Sequence, residues 1–149
     1  MVEIGGEIVA KGHNPKKEAW RIGVNKPVDD SLSMNQELQT ILQLTDVGMA
    51  TSGNYRNFYY KEGKKYAHTI NPKTGYPVQH NLLSTTVVAK DCMTADALAT
   101  AFMVMGLEKA EAFANAHPEI EAYFIYSDEK GNFQNYFTKG MKKYIAEKQ

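Results

Sequence analysis

The chain has one cysteine, no charge bias and no long apolar run, and each lack excludes something. A lone Cys92 rules out an internal disulfide and any cysteine-built metal cage. It also lies too far into the chain to be a lipid-bearing cysteine, and its apolar setting fits a small buried residue. No stretch approaches the roughly 20 apolar residues of a membrane-spanning helix, and none has the pattern of a signal peptide. Seventeen Lys plus Arg balance seventeen Asp plus Glu, so nothing in the overall charge favours nucleic acid as a partner. None of the four histidines pairs with another at metal-ligand spacing, which argues against zinc. Internal repeats, low-complexity tracts and dividing linkers are absent too. What remains is ordinary globular composition, 43% hydrophobic and 23% charged, in 149 residues: one domain with a sizeable core.

Turn signals and apolar alternation divide the chain into short strands and two helices. Residues 2–12 read as one strand with Gly5-Gly6 inside it, where glycines mark a bulge or a close approach. Its start, Val2-Glu3-Ile4 directly after Met1, reads as a strand already under way, with an expectation of missing upstream sequence. His13-Asn14-Pro15 turns the chain toward a returning strand, Trp20–Val24, to form an antiparallel hairpin. Residues 27–37 are polar and read as a loop. Thr40–Leu44 carries the next strand signal, followed by Ala50-Thr51-Ser52-Gly53-Asn54, a small-residue segment suited to wrapping a ligand.

Phe58–Tyr60 and Lys65–Ile70 flank Glu62-Gly63-Lys64 as a hairpin. Asn71-Pro72-Lys73-Thr74-Gly75-Tyr76-Pro77 is a loop stiffened by two prolines. A β-branched strand, Ser84–Ala89, precedes helices at about 94–105 and 107–116, stopped at Gly106 and before Pro118. Ile120–Tyr126 and Asn132–Phe137 form a last hairpin, and the Lys142-Lys143 tail is expected to fray. Hairpins around a helix pair imply an α+β domain, an antiparallel sheet with helices on one face.

Asp96 and Thr100, four residues apart, share one face of the first helix, while Ala95, Leu98 and Phe102 face a core. A carboxylate and a hydroxyl are hard oxygen ligands, suited to a magnesium ion that carries a phosphorylated ligand. On the pair alone, ordinary helix-end chemistry is the simpler account, with Thr94 as cap and Asp96 near the dipole. His68, before the proline loop, could contact a phosphate or move a proton; for a lone histidine, an incidental place on a surface hairpin is the simpler account. Ser52-Gly53-Asn54 could bind a ligand or simply turn, and Gly5-Gly6-Glu7 lacks the spacing of a dinucleotide or phosphate loop. The aromatic cluster Tyr55, Phe58, Tyr59, Tyr60 and Tyr66 reads as hairpin packing.

In order, Gly5-Gly6-Glu7, Trp20–Val24, Ala50–Gly53, His68–Pro77 and Thr94–Thr100 resemble the ApbE family of flavin transferases, FAD:protein FMN transferases. The resemblance runs from Ile4 to about Ile145. It implies a T-fold-like α+β architecture and Mg²⁺-dependent transfer of FMN from FAD to a threonine hydroxyl of an acceptor protein, with AMP released. By the resemblance Asp96 and Thr100 are the metal ligands and His68 is the catalytic histidine near the pyrophosphate. Gly5, Gly6, Glu7, Ser52, Gly53, His68 and Thr74 belong to the FAD-binding wall. Hydrolysis of FAD to FMN and AMP, or a non-catalytic flavin-binding module, are the alternatives.

Two departures qualify the likeness. Asn71 stands where the family commonly has Asp, removing a negative charge near the metal–phosphate region. Family members are also roughly twice as long, so the N-terminal half, with one cleft wall and a further metal ligand, is expected from elsewhere, supplied separately as a partner. Sheet edges left open in this way favour a homo-oligomer. A periplasmic or cell-envelope location follows from the resemblance alone.

Overall fold

Two adjacent glycines with positive φ, Gly5 at 68° and Gly6 at 108°, reverse the chain after three residues. In the computed structural model, which describes residues 1–27, 38–54, 58–61, 64–67 and 69–146, they join β1 (Val2–Ile4) to β2 (Glu7–Ala10). Ile4 pairs with Glu7, so Gly5-Gly6 is a two-residue hairpin loop. The expected single strand over 2–12 is therefore two, because only glycine enters that tight turn without steric cost.

The expected pairing of that segment with Trp20–Val24 does not form either. β3 (Trp20–Asn25) pairs with β4 (Leu38–Leu44) as a separate two-stranded ribbon, while β2 pairs with β5 (Val47–Gly53). β5 contains the small-residue segment read as a ligand wrap, which is strand up to Gly53. β6 (Phe58–Lys61) and β7 (Lys64–Ala67) form the expected hairpin, whose turn residues Glu62 and Gly63 lie outside the described residues. β8 (Leu82–Ala89), β9 (Glu121–Ser127) and β10 (Phe133–Phe137) complete an antiparallel sheet of order β1-β2-β5-β8-β9-β10.

Two helices cover one face of this sheet, α1 (Cys92–Met105) and α2 (Leu107–Ala116). Ala50, Val87, Ala89, Ala122 and Phe124 of the sheet meet Ala95, Ala99, Phe102, Met103, Ala110 and Ala114 of the helices in one core. The many alanines bring backbones close, and Phe102 fills the centre, its ring against Phe113 and Phe124 at 5.8 and 5.6 Å. Gly48 of β5 is where the approach is tightest: a Cβ there would lie 2.3 Å from the Cys92 backbone nitrogen.

The opposite face carries the β3–β4 ribbon over Ile8, Ala10, Met49, Val88, Tyr123 and Ile125. The C-terminal segment is ordered onto this layer rather than frayed. A 3-10 turn, Lys139–Lys143, buries Met141 completely, and Gln43 and Ala146 donate backbone hydrogen bonds that tie the tail to β4. The basic pair reads as a solvated tail, but the apolar residue before it anchors the turn. Among the described residues no helix is long and apolar enough to cross a membrane.

Candidate functional site

An open cleft of about 740 Å³ lies between the sheet and the ribbon. The β1–β2 hairpin contributes Met1, Glu3, Gly5, Gly6 and Ile8; β3 contributes Arg21 through Asn25, with Leu38 beside them; β5 contributes Met49, Thr51, Ser52 and Gly53. Thr69 and Thr100 complete the lining. Strand alternation explains part of the lining, since Met49, Thr51 and Gly53 share the ribbon face of β5. The Thr51 hydroxyl is paired with that of Thr86 at 2.8 Å, which keeps the cleft surface hydrogen-bonded.

Most of the residues expected to bind a cofactor meet here. Gly5, Gly6, Ser52 and Gly53 all line the cleft, as does Thr100. Glu7 opens β2 and lays its carboxylate against Gly5, 2.9 Å from where a Cβ would stand. Thr74 sits in the proline loop, where its hydroxyl accepts from Tyr76 N at 3.3 Å. His68 lies outside the described residues. Its neighbour Thr69 lines the cleft and donates to Asn54 Oδ1 at 2.8 Å, which holds the start of that segment against the end of β5.

The start of α1 alters how Asp96 is understood. Asp91, not Thr94, is the cap: its Oδ1 accepts from Thr94 N at 2.8 Å, and Thr94 Oγ1 donates to Oδ2 at 3.0 Å. These bonds stabilise the ionised Asp91 and hold its carboxyl below the usual 3.8. Asp96 is the fifth helical residue, and no acidic residue occupies the first turn. Helix-dipole stabilisation fades beyond that turn, so the helix-end account of Asp96 is removed. Its side chain is exposed, one turn before Thr100. Burial raises the Cys92 thiol pKa, and the negative charges of Glu7 and then Asp96 push the same way. The carboxylates of β2 and α1 thus bear on a common spot.

Thr100 Oγ1 is 3.0 Å from Ser52 Oγ, so the α1 face that carries Asp96 is joined to the cleft edge. Among the described residues no cluster of three or more His, Cys, Asp or Glu could hold a metal. The donors assigned to a metal are the Asp96 carboxylate and the Thr100 hydroxyl. That set suits magnesium, which takes one or two carboxylates and completes its shell with water and phosphate oxygens, better than a softer metal.

The sequence profile of the ApbE family matches residues 1–124. The chain belongs to the ApbE family. The FAD:protein FMN transferase of Vibrio cholerae is 42% identical over 98% of this chain, and that of Haemophilus influenzae 43% over 88%. These alignments cover 42% and 37% of the relatives, so this ApbE-family chain spans about two-fifths of their length. The solved flavin transferase ApbE from Vibrio cholerae superposes with a TM-score of 0.77 at 41% identity, over 95% of this chain and 43% of that one. The Pseudomonas stutzeri flavinyl transferase ApbE, apo form, gives 0.75 at 35% identity over 95% and 42%. These matches bear out the α+β architecture expected from the resemblance.

Sequence reasoning missed Glu3, Arg21 and Leu38 as cleft residues. The signal for Arg21 was within reach, because Trp20–Val24 alternates; what was wrong was its partner strand. Leu38 reaches the cleft by lying over Gly23, where a Cβ would be 2.6 Å from Leu38 Cδ2. No local pattern encodes that contact.

Proposed function

We propose that this chain forms the FAD-holding part of a flavin transferase that moves FMN from FAD to a threonine hydroxyl of an acceptor protein and releases AMP. The observation that carries the reading is Thr100, which lines the cleft, touches Ser52 and shares its helix face with Asp96. The names of the relatives support the reaction class.

Asp96 and Thr100 would hold Mg²⁺ beside the pyrophosphate. When bound, the ion neutralises charge that builds on the phosphate oxygens during attack by a hydroxyl. The chain's own contribution is positioning. Glycines at 5 and 6 let the β1–β2 turn approach a ligand without a side chain between them, and Ser52 offers a hydroxyl at the cleft edge. His68, by its place one residue before Thr69, is assigned to stabilise developing charge or assist the departing proton.

The test is incubation with FAD, Mg²⁺ and a threonine-bearing acceptor polypeptide. A covalent fluorescent band on the acceptor, with stoichiometric AMP, is expected. AMP without the band identifies hydrolysis, and FAD binding without product identifies a binding module; either result replaces the transfer reading. Asp96→Ala is expected to lower Mg²⁺-dependent product by about 100-fold or more, and unchanged turnover would remove Asp96 from the metal site.

A further inference from the structure

Ser52 and Thr85 are register partners on adjacent strands, with both side chains on the helix face of the sheet. Their hydroxyls hold consecutive residues of α1. Thr85 Oγ1, fully buried, donates to Ala99 O at 2.8 Å, and Ser52 Oγ meets Thr100 Oγ1 at 3.0 Å. A helical threonine commonly turns its proton back to the carbonyl one turn earlier. The Thr100 hydroxyl instead has a partner on the sheet, in a stretch of β5 whose backbone is held in register by β8.

We propose that Ser52 is a positioning residue for Thr100, resting on the metal assignment given above. A hydroxyl that ligates a cation does so through a lone pair, so its proton must be directed elsewhere. Ser52 Oγ accepts that proton and thereby turns the Thr100 lone pairs away from the sheet, toward the side that carries Asp96. The Ser52 proton is then left to point into the cleft, where an anionic oxygen of the ligand accepts it. Thr85 fixes the height of α1 above the sheet, so the two hydroxyls act together as a cross-strand grip on one turn of helix.

The test is Mn²⁺ binding to the FAD-loaded chain, read by loss of the free-ion EPR signal, alongside thermal unfolding. Ser52→Ala is expected to weaken Mn²⁺ binding about 10-fold with little change in melting, and Ser52→Thr to restore it. In a Thr100→Val background the same Ser52→Ala change is expected to have less than about a twofold effect, because the group it orients is gone. A full 10-fold effect in that background would make Ser52 a ligand in its own right and overturn the proposal. Equal Mn²⁺ affinity in wild type and Ser52→Ala would overturn it while leaving the metal site standing. Absence of Mn²⁺ binding in the wild type would overturn the metal assignment itself, and the proposal with it.

Discussion

The two faces of the central sheet are covered in opposite ways. On one, α1 and α2 lie on a floor of Ala50, Leu82, Val87, Ala89, Ala122 and Phe124, and the core is continuous. On the other, a two-stranded ribbon and a 3-10 turn pack over one end and leave the cleft open at the other. The same strands serve both faces, alternate residues pointing each way. Ser52 and Thr100 belong to the helix face yet border the cleft, so the open region reaches the boundary between the two layers. Tight packing on the closed side can thus set the position of polar groups that meet the open side.

Removing a ring from the closed face should be the most damaging change. Phe102→Ala leaves a cavity beneath two other rings and is expected to cost about 3–5 kcal/mol in urea unfolding. Equal damage from truncating half-exposed Leu38 in the cleft would erase the contrast between the faces. Glycine substitutions sharpen it further. Gly48→Ala drives a Cβ into the backbone of Cys92 and is expected to cost about 1–3 kcal/mol. Gly23→Ala meets only the end of the Leu38 side chain, which can swing into the cleft, and should cost under about 1 kcal/mol. The reverse order would mean that the ribbon, not the helix, is the rigid cover.

The smallest effect concerns acid. Asp91 is held below 3.8 in the folded chain, so its contribution is present above that pH and is lost as pH falls through the folded value. Asp91→Asn keeps a competent cap but removes the titration. Urea midpoints from pH 7 to 2 should therefore run parallel down to about pH 4 and fall less steeply in the variant below it. Asp46 and Asp128, also held low by hydrogen bonds, should preserve part of the slope.

β8, β9, β10 and both helices are legible because their signals are local: β-branched and aromatic runs for the strands, and stops at Gly106 and before Pro118 for the helices. The errors arose where geometry is not local. Gly5-Gly6 read as a strand interior because the return strand starts immediately, with no polar loop to mark it. Trp20–Val24 follows a turn that points it to its sequence neighbour, whereas its partner β4 lies beyond a polar stretch. Thr94 suits a cap position by residue type; Asp91, three residues earlier, suits it better and also receives the threonine's hydroxyl. Of the candidate site, Gly5, Gly6, Ser52, Gly53 and Thr100 line one cleft. Thr74 is engaged within its own turn, and the contact between Ser52 and Thr100, 48 residues apart, had no local signature.

At Gly48, strand and helix touch main chain to main chain, with no side chain between them. Such a joint has no cushion. Elsewhere in the core a changed side-chain volume can be absorbed by neighbouring rotamers, but here there is nothing to rearrange. Sequence drift in the surrounding core side chains should therefore leave the spacing between β5 and α1 almost unchanged. A site whose groups are divided between that strand and that helix inherits the constancy, and tolerates mutation around it better than mutation of the one residue that has no side chain to lose.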